Sequence, residues 1–199
     1  MKKTNSKKFG QTTTKTKIGI DYSLTSPAVC INDGNLWFYY LTSKKKWIGK
    51  QSENIIGYEH EDYNDPIERF KNISNFVFKV IEKHISSEIG YRSIEDVFIE
   101  GYSFGSKGRG VFQIAENCGI LKYRLLEEGI GYTTVVPSVV KKGATGKGNA
   151  DKDLMYEAFV KEVKIDLKKL FDTEKVGNPL SDIVDSYYIQ KVGHEASLI

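Results

Sequence analysis

A chain of 199 residues, 40% hydrophobic and 12% aromatic, can bury one sizeable core and leaves no room for a second large domain. No run approaches the roughly 18 uninterrupted apolar residues of a membrane span, and the N-terminus lacks the apolar stretch of a signal peptide, so an intracellular chain is expected. The net charge of +3 is uneven: residues 1–17 hold Lys2, Lys3, Lys7, Lys8, Lys15 and Lys17 without an acid, and removing those six from the 29 basic residues leaves 23 against 26 acidic ones. A polyanion would therefore meet local patches rather than a global field.

Residues 1–16, rich in Lys, Thr and Ser, are expected to form a disordered basic tail ahead of a single domain at 17–199. Such a tail suits a backbone-grasping arm, a presequence or a solubilising extension; its lack of Arg argues against the presequence, and so for a bacterial or phage-infected cytoplasm over a mitochondrion. The run Lys17–Ser23 ends in a carboxylate, 28–31 is a second apolar run, and Asp33-Gly34 turns the chain into Leu36–Leu41. Three antiparallel strands are predicted there. Residues 42–64, with Lys44, Lys45, Lys46 and Lys50 but no period, read as a loop insertion carrying a basic patch.

Asp65-Pro66-Ile67-Glu68 supplies a capping acid, Pro at the first helical position and an acid three residues after the cap. Ile67, Phe70, Ile73, Val77, Val80 or Ile81, and Ile85 give that helix its buried stripe. Val97-Phe98-Ile99 lacks polar alternation, which suits a parallel strand buried on both faces, and it ends in Glu100. Residues 111–128 predict a helix with Ile114, Cys118, Leu121 and Leu125 on one face. Phe112, Ala115, Gly119, Ile120 and Leu126 widen its apolar surface towards a partner subunit. A strand at 132–136 and helices at 150–164 and 180–191 complete the order of a mixed sheet flanked by helices. Cys30 and Cys118 sit in apolar segments without metal-ligand spacing, as reduced core thiols do, and His60, His84 and His194 have no partner spacing and read as surface or filler residues.

Asp21 and Glu100 each end an apolar strand, and Asp182 and Asp185 stand three apart on one helix, their side chains pointing the same way. Singly, each suits a cap or a solvated acid. Together they are the hard oxygen donors that Mg²⁺ or Mn²⁺ takes in phosphodiester chemistry.

Ile18-Gly19-Ile20-Asp21, Ile99-Glu100 with Phe104 beyond it, and Ser181-Asp182-Ile183-Val184-Asp185 resemble the acidic segments of RuvC-type junction resolvases. Val140-Lys141 through Gly146-Lys147-Gly148-Asn149-Ala150-Asp151-Lys152 resembles that family's V-K-x-x-x-x-G-x-G-x-A-x-K segment. Asp21-Tyr22-Ser23-Leu24 departs from the family's D-P-G-S or D-P-G-T turn. The resemblance implies an RNase H-like α/β fold, three antiparallel strands plus parallel ones, and a homodimer acting on branched DNA. It implies that Asp21, Glu100, Asp182 and Asp185 hold two Mg²⁺ ions, with Mn²⁺ able to substitute, and that Lys152 shares in catalysis. Lys141, Lys147 and Lys152 would meet DNA, with Lys107 and Arg109 as further basic contacts and Phe104, ahead of Tyr102, as the wedge at the crossover.

Gly143, Gly146 and Gly148 do not have Walker spacing and read as a flexible hinge that brings Lys147 and Lys152 to the DNA backbone. A nuclease for RNA–DNA hybrids or general branched DNA is the nearest alternative. An actin-like ATPase would need a Gly-rich turn straight after Asp21, which Tyr22-Ser23-Leu24 does not supply. A non-catalytic DNA-binding module explains the lysines but not four acids facing a polyanion.

Overall fold

The computed structural model describes residues 15–85, 89–102 and 110–197. The first three strands are β1 (Thr16–Asp21), β2 (Ala28–Asn32) and β3 (Leu36–Thr42), paired antiparallel in sequence. Strands β4 (Gly49–Ser52), β5 (Ile55–Glu59), β6 (Ile94–Glu100) and β7 (Thr133–Val135) extend the sheet into the order β4-β5-β3-β2-β1-β6-β7. β6 runs parallel to β1, β7 to β6 and β5 to β3. The carboxyl ends of β1, β3, β5, β6 and β7 therefore share one edge of the sheet.

Side chains alternate across the sheet and build two cores. On one face Ile18, Ile20, Val29, Ile31, Val97 and Ile99 pack against helices α1 (Pro66–Ile81) and α2 (Gly110–Glu127). On the other, Ala28, Cys30, Phe38, Tyr40 and Phe98 pack against α3 (Pro137–Thr145), α4 (Lys152–Val163), the one-turn α5 (Leu167–Leu170) and α6 (Leu180–Ser197). α6 crosses β1, β2 and β6 and is itself overlaid by α3 and α4, so it is buried nearly all round. Both cysteines are free and buried. Among the described residues no helix is long and apolar enough to cross a membrane.

The start of α1 follows its sequence signal: Asp65 caps the helix by accepting from the backbone N–H of Ile67 and Glu68 at 2.8 and 3.0 Å. Several expectations need correction. Residues 42–64 are not a loop insertion, because β4 and β5 add a hairpin whose second strand finds its partner in β3. Ile67 is exposed, since α1 has not yet reached the sheet at its second residue, whereas Phe70, Ile73, Val77, Val80 and Ile81 are buried. Thr16 is already buried in β1, one residue ahead of the expected domain boundary; residues 1–14 lie outside the described residues.

Two of the three glycines of the expected hinge belong to a helix. Gly143 lies inside α3 against Val192, where a Cβ would collide with its side chain, and Gly146 takes the left-handed conformation (φ 77°) that closes α3. The histidines are not filler either. His84 joins Asp33 (2.8 Å) and the Tyr39 hydroxyl (2.7 Å), and His194 joins Asp96 (3.0 Å) and Lys17 (2.8 Å). Both tie together parts of the sheet edge opposite the strand-end acids.

Candidate active site

Asp21 and Glu100 are brought side by side by register: β1 and β6 pair Ile20 with Ile99, so the next residue of each strand ends the ladder on the same edge. Gly19 brings up the other two acids. A Cβ on Gly19 would stand 2.5 Å from the Gln190 nitrogen and 2.6 Å from the Gln190 Cβ, so only glycine lets α6 lie this close on β1. The first two turns of α6 then carry Asp182 and Asp185 to the end of β1. A second glycine contact, Gly193 against Phe98, seats the far end of the helix on β6.

The four carboxylates perturb one another. Burial, then Asp182, Glu100 and Asp185, holds the Asp21 pKa well above the ordinary carboxylate range. Burial raises Glu100 to about 7, against the pull of Lys141. Burial and the charges of Glu100 and Asp182 raise Asp185 to about 7, while Lys152 and Lys141 oppose the shift. Asp182 rises less, to about 6, because Ser26 and Lys152 stabilise its charged form against burial. Four crowded acids that favour protons bring together oxygens of the type that hard divalent ions take. Among the described residues no group of three or more His, Cys, Asp or Glu side chains is arranged to hold a metal ion. Instead a cleft of about 560 Å³ opens between Asp21, Glu100, Tyr102, Ile114, Lys141 and Asp185.

A polar chain holds Asp182 from behind. Ser26 Oγ donates to Asp182 Oδ2, Asn178 Nδ2 donates to Ser26 Oγ at 2.7 Å, and Ser181 Oγ donates to Asn178 Oδ1 at 3.2 Å. Lys152 Nζ reaches Ser181 Oγ at 3.2 Å and so joins the chain at its far end. The sequence did not single out Ser26, Asn178 or Ser181. The available signals were a Ser-Pro step just before β2 and an Asn-Pro step just before the acidic helix.

Of the lysines expected near the site, Lys141 on α3 lines the cleft, and Lys152 at the start of α4 borders a smaller hollow with Lys141, Ser181 and Asp185. Lys147 is exposed on the turn after α3 and lines neither. Phe104, Lys107 and Arg109 lie outside the described residues. Tyr102 stands half exposed at the cleft, with Lys122 Nζ 5.5 Å from its ring centre.

The family model described as "Crossover junction endodeoxyribonuclease RuvC" matches residues 53–178, more than half of the chain. That span holds Glu100, Lys141 and Lys152 but not Asp21, Asp182 or Asp185. Two solved structures share the fold over 92% of this chain and 96% of theirs, each with a TM-score of 0.55. They are Thermus thermophilus RuvC, 15% identical, and T. thermophilus RuvC in complex with Holliday junction substrate, 14% identical. No curated protein matches the chain. With more than half of its length matching the family model and the RuvC fold running through nearly all of it, the chain belongs to the RuvC family of crossover junction endodeoxyribonucleases.

Proposed function

We propose that this endonuclease resolves four-way DNA junctions as a homodimer, each subunit hydrolysing one phosphodiester bond at the cleft lined by Asp21, Glu100 and Asp185 and backed by Asp182. The observation that carries the reading is the approach of Asp21, Glu100, Asp182 and Asp185 where the ends of β1 and β6 meet the start of α6, beside Lys141 and Lys152. With two divalent ions, Mg²⁺ or Mn²⁺, held by these oxygens, the site gains a Lewis acid for the scissile phosphate and an acidified water to attack it.

The chain's own groups do the rest. Asp21, central among the acids, offers oxygens to both sides of the cluster, while Glu100 and Asp185 complete it from the cleft and Asp182 from the polar chain behind. Lys141 and Lys152 supply positive charge where the phosphoryl oxygens gain negative charge on the way to the transition state. Tyr102 offers a ring at the cleft for an unstacked base at the crossover. The outward face of α2, with Phe112 and Leu126 about three-quarters exposed, suits a two-fold contact that presents two clefts to a two-fold substrate.

The test is competition between a four-way junction, a matched duplex and an RNA–DNA hybrid at one salt concentration, with and without chelator, followed by strand mapping. Symmetric paired nicks near the crossover that need divalent metal support the proposal. Asp185→Asn should lose cleavage by at least a hundredfold and retain junction binding. Preferential loss of the hybrid's RNA strand would overturn the junction reading, and cleavage by Asp185→Asn within tenfold of the parent would overturn the acid assignment.

A further inference from the structure

The hairpin that extends the sheet begins with a short basic turn at the same edge as the acids. β3 runs parallel to β1, since both are antiparallel to β2, so Thr42 and Asp21 end on one side. The 3-10 turn Lys45–Trp47 follows at once. Trp47 is a fixed post: its Nε1 donates to the Phe171 carbonyl at 3.1 Å, its own carbonyl accepts from the Tyr40 hydroxyl at 2.7 Å, and its ring meets Phe171 edge-on at 5.6 Å.

Lys44 Nζ and Lys46 Nζ lie 4.2 and 4.9 Å from the centre of the Trp47 ring, which holds both ammonium groups at the surface without neutralising them. Among the described residues no carboxylate forms an ion pair with Lys44, Lys45 or Lys46. Lys44 Nζ also reaches the Asn178 carbonyl at 3.4 Å. The side chain of Asn178 bonds Ser26, which bonds Asp182, so three residue-to-residue steps separate Lys44 from the acids.

We propose that Lys44 and Lys46, displayed on Trp47, form a phosphate-binding ridge for the DNA strand whose scissile phosphate sits at the acids. Two unneutralised cations on a rigid pedestal, bridged through Asn178 to the site, match the next stretch of a polyanionic backbone. A solvated lysine face would need neither the aromatic post nor the link to Asn178. The inference rests on the proposed nuclease site and extends it along the strand.

The experiment uses the full chain carrying Asp185→Asn so that DNA stays intact, and measures four-way-junction affinity from about 50 to 200 mM salt, the range over which phosphate contacts change affinity steeply. Lys44→Ala with Lys46→Ala should lower affinity at least tenfold and reduce the slope of log affinity against log salt by about two, close to one for each lost phosphate contact. Lys44→Arg with Lys46→Arg should restore most of the slope. The charge-matched pair Lys83→Ala with Lys161→Ala, away from the acidic edge, should change the slope by less than about half a unit. An unchanged slope in the first pair, or an equal fall in the charge-matched pair, overturns the ridge while leaving the nuclease site standing. If the parent binds no junction, both readings fall.

Discussion

Asn178 Nδ2 donates to Ser26 Oγ over 2.7 Å, a contact between residues 152 positions apart that leaves the Ser26 hydroxyl proton directed at Asp182. This bond favours the ionised form of Asp182, the form in which the proposed site would take a cation. Ser26→Ala should therefore raise the Asp182 pKa above about 6, towards those of Glu100 and Asp185, and steepen the acid limb of the cleavage pH profile, as the loss of a hydrogen bond to a charged group implies. It should also raise several-fold the Mg²⁺ concentration for half-maximal rate. Ser26→Thr, which keeps the hydroxyl, should return both values towards the parent.

The carboxylates couple stability to pH in the direction opposite to an ordinary ion pair. Folded Asp182, Glu100 and Asp185 titrate at about 6, 7 and 7, above the usual carboxylate range near 4. Their contribution to folding is fully present below the unfolded pKa and is lost as pH rises through the folded values. In chelator, thermal stability should fall between about pH 5 and pH 8. Mg²⁺ should offset the loss at pH 8 and do little at pH 5, and Asp185→Asn should be more stable than the parent in chelator at pH 8. Scanning calorimetry at the two pH values checks all three, and stability rising with pH in chelator would contradict them.

Gly19 allows α6 to touch β1, so Gly19→Ala should push the helix away and carry Asp182 and Asp185 with it. A cost of roughly 1–3 kcal/mol is typical of overpacking. A fall in cleavage of more than a hundredfold should accompany it, because the displaced groups are the acids themselves. Gly131→Ala, where an added Cβ meets nothing within 4 Å, should leave both quantities near the parent values. Denaturant unfolding and single-turnover cleavage measure the two effects.

On α2 the division between core and outer surface is now specific. Cys118, Leu121 and Leu125 are buried against α1 and the sheet, Ile114 is partly exposed at the cleft, and Phe112, Tyr123 and Leu126 face outward. Leu126→Asp should preserve the circular dichroism spectrum yet convert the protein from dimer to monomer in light scattering at micromolar concentration, because the dimer would bury two unpaired charges. Paired incision should fall with it. A parent that is monomeric and still nicks opposed strands would remove the dimer from the proposal.

The strand-end acids were legible because each closes an apolar run, where a carboxylate is costly without a partner. Their mutual approach was expected from the family resemblance and not from any local pattern. It depends on the Ile20–Ile99 register and on the close seat of α6 at Gly19, neither of which has a local signature. The hairpin of β4 and β5 was hidden for a related reason: Gly57 and the surrounding charges weaken its period, and β5 gains its order from pairing with β3. Gly57 is there for contact, since a Cβ at that position would meet the Tyr40 hydroxyl at 2.6 Å. The polar chain behind Asp182 could not be read from isolated serines either, as a hydroxyl 156 positions away acquires its role only when β2 and α6 meet.

The two outer strands of the sheet determine how copies of this chain can meet. At one side β4 has four residues, an exposed Lys50 and a register shift against β5; at the other β7 has three residues. Neither offers the long flat row of free N–H and C=O groups that recruits another strand. Endless strand-upon-strand growth is thereby discouraged at both ends, and a closed pairing through a helix face remains the natural mode of self-association. Copies of this chain brought close together can then pair without adding strand to strand.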